Sequence, residues 1–193
     1  WNFEWKKPKS KAGQWISRKF EDLDPDVACL TEIIQGMIPE GEVLEADPDY
    51  GYSQPEDRRK VTLWSKSSWT DIDRIGDPEL PDGRFVSGVT LGIRFIGVCI
   101  PWRDAHVRSG RKDRKAWEDH LAYCRKLARI IEKYARKDRR VCILGDYNQR
   151  IPRVSQPVQV AEALAACFPT DFTISTAGLK DDAGKPLIDH CAT

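Results

Sequence analysis

The stretch Val141-Cys142-Ile143-Leu144-Gly145-Asp146-Tyr147-Asn148 limits the folds open to this chain more than any other. Its apolar residues, Val141 to Leu144, are too few for a helix and follow a charged run, so they read as a short buried strand. The strand breaks at a glycine and delivers Asp146 and Asn148 two positions apart. In extended backbone, residues at that spacing point to the same side. A carboxylate and a carboxamide then stand together at the end of a rigid element, where a site can be held in place. The carboxylate can take a proton or hold a hard cation, and the carboxamide can orient a water or a phosphate oxygen. Taken alone, the same residues read equally well as a strand ending in a turn, because Gly, Asp and Asn are common turn formers. A helix leads directly into this strand. Trp117, Leu121, Cys124, Ala128, Ile131 and Ala135 alternate steps of four and three, an apolar stripe with charges opposite.

The remaining segments predict alternating strands and helices. Trp1-Asn2-Phe3-Glu4-Trp5 alternates apolar and polar residues, which predicts a strand with Asn2 and Glu4 on one face. On a solvent face these two carry no function; on a cleft they add a carboxylate and an amide. Ala12, Ile16, Phe20 and Leu23 predict a helix over 12–23, stopped where Asp24 precedes Pro25. Val27 to Glu32 is a second short buried strand ending in a carboxylate, and Val61 to Ser65 is another. Residues 85–89 and 93–100 form a hairpin turning near Leu91-Gly92 and broken at Pro101-Trp102. The segment 103–115, with Arg103, His106, Arg108, Arg111, Lys112, Arg114 and Lys115, is too polar for core and reads as a basic loop. Pro157 opens a shorter helix using Ala161, Leu164, Ala165 and Phe168. Residues 172–175 and 186–192 are the last strand candidates, the second carrying Asp189 and His190. Strands interleaved with a few helices predict a layered α/β fold.

Totals narrow the function classes. With 193 residues, 40% of them hydrophobic and 32% charged, the chain is expected to form a single globular domain. Its apolar runs fall far short of a membrane span, and no stretch resembles a signal peptide. A net charge of +1 argues against a uniformly basic nucleic-acid binder while leaving local patches open. The six cysteines include no C-x-x-C pair, so they are expected to be reduced thiols in a cytoplasmic protein rather than a zinc site. The default oligomeric state is a monomer.

Four strand ends thus offer acids or amides: Asn2 with Glu4, Glu32, Asp146 with Asn148, and Asp189 with His190. Carboxylates that converge from separate strands suit a hard cation such as magnesium. The matching pieces Trp1-Asn2, Pro25-Asp26-Val27-Ala28-Cys29-Leu30-Thr31-Glu32, Lys60 to Ser65, Gly97 to Trp102, Gly145-Asp146-Tyr147-Asn148 and Ile188-Asp189-His190 follow one another in a family order. In them the chain resembles the endonuclease/exonuclease/phosphatase superfamily, the deoxyribonuclease I-like and exonuclease III-like metal-dependent phosphoesterases. The resemblance implies an α/β fold (α+β in some schemes): a four-layered α-β-β-α sandwich of two mainly antiparallel sheets flanked by helices. It would bring the strand ends together at one mouth of the sandwich. It further implies Mg2+, or Mn2+, held chiefly by Glu32, with Glu4 where some members carry an acid. Asn2 would position the metal or phosphate, Asp146 would orient or deprotonate the attacking water, and Asn148 would hold the phosphate or that water. Asp189 would match the acid of the penultimate strand.

Two departures from the family pattern stand out. The family closes with a terminal S-D-H strand carrying a catalytic histidine, whereas the last D-H pair here is Asp189-His190. Either this is the penultimate strand, in a piece lacking its first residues and terminal strand and inactive alone, or it is the terminal dyad, with His190 catalytic. Cys99 also stands where many members have histidine. A thiol is a poor phosphate donor near neutral pH, so that contact would fall to Arg103 or His106. The leading substrate is DNA or RNA, with the basic loop on phosphates and Trp102 and Tyr147 stacking on bases. A phosphatase acting on a small phosphorylated metabolite, inositol phosphate or phospholipid head group is the alternative. A non-catalytic binding domain retaining the fold is the third.

Overall fold

In the computed structural model, which describes every residue except Tyr50, Tyr52 and Asp82, the chain forms two stacked sheets with helices on their outer faces. Helix α1 is Lys11–Leu23, and the strands are β1 (Val27–Ile34), β2 (Glu42–Glu45), β3 (Arg58–Ser65), β4 (Thr70–Asp73), β5 (Phe85–Thr90) and β6 (Ile93–Cys99). Then come α2 (Glu118–Lys137), β7 (Val141–Asp146), α3 (Val158–Ala165) and β8 (Asp189–Ala192). One sheet has the order β1-β3-β2 and the other β4-β5-β6-β7-β8. Pairing is antiparallel except for β6 with β7, which run parallel. A parallel pair needs a long crossover, and α2 supplies it.

Period-two alternation assembles the layers. Along β7, Cys142 and Leu144 face the other sheet, while Ile143 and Tyr147 face the helices. Along β6, Phe95 and Cys99 point between the sheets, while Ile96, Val98 and Ile100 point toward α2. The inter-sheet layer is completed by Leu44, Val61, Leu63 and Val86, all buried. Gly97 lies in this layer: a Cβ there would come within 3.1 Å of Leu63 and Val61, so its bareness lets the sheets approach. On the far side of the smaller sheet, Ile16 and Phe20 of α1 pack on Leu30, Ile33 and Trp64. Four layers result.

Most predicted elements form, with informative shifts. Ser10 caps α1, its hydroxyl accepting the Gly13 N–H at 3.0 Å. The buried face of α1 is Gly13, Ile16 and Phe20; Ala12 and Leu23, expected inward, are exposed. The hairpin turns at Leu91 (φ 53°) and Gly92 (φ 70°), the positive pair that two-residue turns require. On α2 the expected stripe is displaced. Cys124 and Ile131 are buried as expected, but their neighbours inward are His120, Tyr123, Leu127, Ile130 and Tyr134. Both tyrosines bring apolar rings whose hydroxyls find partners, Tyr123 on Arg84 O at 2.7 Å and Tyr134 on Asp73 Oδ2 at 2.6 Å, so they outcompete the small alanines. Residues 1–5 do not form a full strand. Asn2 makes one parallel bridge with Thr31, then its side chain accepts the Glu4 N–H at 2.8 Å and the backbone turns through positive φ at Glu4 and Trp5. Of the final candidates, 189–192 is a strand and Ile174 contributes one bridge to Ala192. Among the described residues, no helix is long and apolar enough to cross a membrane.

Candidate active site

Asp146 is the centre of the cluster. It follows Leu144 by two positions on the inward side of β7 and is 3% exposed. Gly145 before it has φ 141°, and a Cβ there would sit 1.9 Å from the Val98 carbonyl oxygen, so the strand can end this way only with glycine. Asn148 folds back at φ 52°: its N–H donates to Asp146 Oδ1 at 2.8 Å and its Nδ2 to the Ile100 carbonyl at 2.8 Å. From the other side, Asn2 Nδ2 donates to Asp146 Oδ2 at 3.3 Å.

Two further carboxylates reach this centre. β8 pairs with β7 so that Asp189 lies opposite Asp146 and His190 opposite Gly145. Asp189 shares the inward face, and its Oδ1 is buried with no hydrogen-bond partner among the described residues. Glu32 comes from the other sheet. Its φ of 50° interrupts the alternation of β1, so that Leu30 and Ile33 both face α1 while Glu32 sits across β3 from Lys60. Lys60 Nζ holds Glu32 Oε1 at 2.6 Å. Burial raises the Asp146 carboxyl to about 7, and the neighbouring Asp189 and Glu32 charges add to the rise, against the Asn148 N–H and Lys60. Asp189 is also raised, first by burial and then by the Glu32 and Glu4 charges. The acids are thus close enough to oppose one another's ionisation.

The loop carrying Asp146 and Asn148 is clamped from beneath. Gln149, 2% exposed, donates from Nε2 to His120 Nε2 at 2.7 Å and to the Val160 carbonyl at 2.8 Å. His120 in turn bonds the Pro101 carbonyl through Nδ1 at 2.7 Å. These bonds tie the loop to α2 and α3, the kind of support a precise site needs.

Several expected residues lie elsewhere. His190 points to the helix side of β8, buried against Tyr147, with Nδ1 on Thr176 Oγ1 at 3.0 Å and Nε2 on the Gln149 carbonyl at 3.0 Å. Burial lowers its pKa and keeps the ring neutral. It is a strut, not a member of the cluster. Tyr147, expected to stack on bases, is fully buried between sheet and helices, its hydroxyl donating to Ile143 O at 3.0 Å. Alternation forces this, since Asp146 and Asn148 occupy the other side. Glu4 is exposed and paired with Lys6 at 2.9 Å. His106 belongs to a separate cavity with Arg111, Arg114 and Asp119, and its Nδ1 accepts the Arg111 N–H at 3.1 Å. Part of the basic loop is spent on acids of its own neighbourhood: Arg114 Nε binds Asp119 at 2.9 Å and Arg111 lies 3.5 Å from Asp113. Arg103, 3.7 Å from Asp104, is well exposed and, with Trp102, Trp117, Asn148 and Arg150, lines a cavity of about 600 Å3. Trp102, 46% exposed, also lines a second cavity of about 240 Å3 with Trp5, Arg58, Lys60 and Arg84. Cys99 is buried beside the cluster, its thiol pushed up to about 12 by burial. Lys60 and Arg84 were not singled out in the sequence, and only strand register reveals them.

The oxygens of Glu32, Asp146, Asp189 and Asn2 form the hard donor set a divalent cation prefers, and the unpartnered Asp189 Oδ1 fits one. Among the described residues, as placed, no group of three or more His, Cys, Asp or Glu side chains encloses an ion. Lys60 covers Glu32 instead.

No protein-family model and no curated protein sequence matches this chain. Solved structures do. An AP endonuclease from Archaeoglobus fulgidus superposes with a TM-score of 0.68 at 16% identity, covering 94% of this chain and 80% of that one. The 3'-5' exonuclease NExo from Neisseria meningitidis gives 0.63 at 16% identity over 93% of this chain and 80% of that one. The endonuclease domain of TRAS1, a telomere-specific non-LTR retrotransposon, gives 0.61 at 16% identity over 100% of this chain and 81% of its own. Two stacked sheets, helices on both outer faces and this common superposition give the chain the fold that these solved structures share.

Proposed function

We propose that the chain is a divalent-metal-dependent phosphodiesterase of the nuclease type. The observation that carries this reading is the convergence of Asp146, Asp189 and Glu32 from two sheets, where burial first and the neighbouring carboxylates second raise Asp146 to about 7. A carboxyl at that value suits general-base work near neutral pH, so Asp146 takes the proton of the attacking water. Asn148, its amide held by the Ile100 carbonyl, and Asn2, held on Asp146, orient that water and the phosphate. Glu32 and Asp189 would hold a magnesium ion, with Glu4 nearby, and when bound it would supply neutralisation of phosphate and leaving-group charge. Water attacks in line, and no covalent enzyme intermediate is needed.

A polynucleotide substrate is supported by Trp102 and Arg103 at the mouth beside Asn148. It is further supported by the endonuclease and exonuclease descriptions of the structural neighbours. A phosphomonoester is the second reading, favoured by a further Neisseria structure described as the 3' phosphatase NExo bound to product DNA hairpin. A cytoplasmic setting belongs to the proposal, supported by five buried cysteines that serve as apolar packing. The test incubates purified protein with labelled DNA, RNA and a generic phosphodiester, in magnesium or EDTA. Turnover should require magnesium and fall at least about a hundredfold in Glu32→Gln and Asp146→Asn proteins. Metal-independent turnover, or full activity in either variant, refutes the mechanism. A folded protein that binds but never cleaves is a binding domain.

A further inference from the structure

Arg84 is a buried cation with no counter-ion among the described residues. It is 2% exposed, and among the described residues no carboxylate lies within ion-pair distance of it. Its Nη1 donates to the Cys99 carbonyl at 3.2 Å and lies 3.8 Å from Cys99 Sγ. Its backbone is pinned as well: the carbonyl accepts both the Tyr123 hydroxyl at 2.7 Å and the Cys99 N–H at 3.0 Å. Nη2 is buried and has no hydrogen-bond partner among the described residues. An uncompensated buried charge destabilises a fold, so its presence needs a reason.

The cavity it lines supplies one. Arg58, Lys60 and Arg84 contribute three cations, Trp5 and Trp102 two indoles, and among the described residues no acid lines the wall. Arg58 and Lys60 lie over the Trp5 ring at 4.9 and 5.0 Å. The acidic cluster is immediately adjacent through Lys60 and Glu32, and Trp102 is shared with the cavity that holds Asn148. We infer that Arg84, with Lys60 and Arg58, forms a subsite for a second phosphate of the substrate, one diester removed from the phosphate held at Asn148. A pinned guanidinium offers its fork ready-oriented to a tetrahedral oxyanion. The subsite also gives Cys99 a role: the small thiol leaves room for the guanidinium, which carries the charge a buried thiol cannot. This inference rests on the phosphoesterase reading and narrows it to substrates with at least two phosphates in sequence, as a polynucleotide has.

The experiment compares Arg84→Gln and Arg84→Lys with the wild type on a short oligonucleotide and on bis(p-nitrophenyl) phosphate, which carries one phosphate. Arg84→Gln should lower kcat/KM on the oligonucleotide at least about tenfold more than on the small diester, with the loss in KM. Oligonucleotide binding in EDTA, followed by fluorescence anisotropy across a salt series, should lose about one unit of salt slope. Arg84→Lys should keep the salt slope and show an intermediate loss. If thermal melts show that Arg84→Gln does not fold, Arg84→Lys carries the test: wild-type behaviour on both substrates overturns the subsite. Equal losses on the two substrates, or an unchanged salt slope in a folded Arg84→Gln protein, also overturn it. Should the wild type hydrolyse neither substrate, the phosphoesterase reading fails, and the binding series alone decides whether the subsite exists.

Discussion

Replacing Asp146 by Asn should make the metal-free protein more stable at pH 8 while removing its activity. Asp146 is 3% exposed, and burial raises its carboxyl from 3.8 to about 7, helped by Asp189 and Glu32. Between those values the folded protein holds a proton that the unfolded chain has already released. Stability therefore falls as pH rises through the window and stays at its reduced level above about 7. Three pH units at roughly 1.4 kcal/mol each put the full penalty at about 4 kcal/mol. Asparagine escapes the penalty and keeps an oxygen for the Asn148 N–H, now 2.8 Å away. It meets the Asn2 amide donor with a donor of its own, at a cost of about 1 kcal/mol. The net gain of about 3 kcal/mol above pH 7 corresponds to a rise in Tm of roughly 6–12 °C for a chain of this size. Thermal melts of both proteins in EDTA, from pH 4 to pH 8.5, read this directly. The stability gap should widen by about 1.4 kcal/mol per pH unit up to about pH 7 and then level off. A gap independent of pH, or an Asp146→Asn protein less stable at pH 8, would refute the account of a buried carboxyl pressed by its neighbours.

His190→Gln should cost about 1–3 kcal/mol through its bonds to Thr176 and Gln149, with initial rates within a few-fold of wild type; a loss beyond about a hundredfold in a folded protein would return His190 to the chemistry. Gly145→Ala should fail to fold or lose more than about 3 kcal/mol, because its Cβ strikes the Val98 carbonyl and breaks the parallel pair of β6 and β7; an unaltered circular-dichroism melt would contradict this.

The elements that sequence patterns revealed are those with one dominant cause. The hairpin at Leu91-Gly92 shows in its turn residues, and β7 shows in a four-residue apolar run ended by glycine. β2 and β4 escaped because Glu42–Glu45 and Thr70–Asp73 are short, charged and mostly exposed, with little apolar signal. On α2 two overlapping stripes exist, and the choice between them depends on which tyrosine hydroxyls find partners across the fold. The inward placement of Tyr147 and His190 was legible in principle, since alternation that aims Asp146 and Asp189 one way aims their neighbours the other. Glu32 was legible as an acid on a short buried strand, but the strand runs on past it to Ile34, and its left-handed backbone and pairing with Lys60 were not legible, because both arise from register with β3. Arg84 carried no local signal at all.

The acids are divided between two sheets, Glu32 on one and Asp146 with Asp189 on the other, and this division ties distant packing to the chemistry. Behind them the sheets are joined by thin contacts, among them Cys29 Sγ on the Leu144 carbonyl at 3.4 Å and the Ser65 and Thr90 hydroxyls at 3.5 Å. The gap between the two plates is filled by an apolar layer that includes Leu44, Val61, Leu63 and Val86, with Gly97 thinned to nothing. The mouth of the molecule therefore behaves like the jaws of a caliper whose opening is read at one end and adjusted in the middle. On the proposed function, substitutions in that layer would set the jaw width and so the size of what the acids grip together.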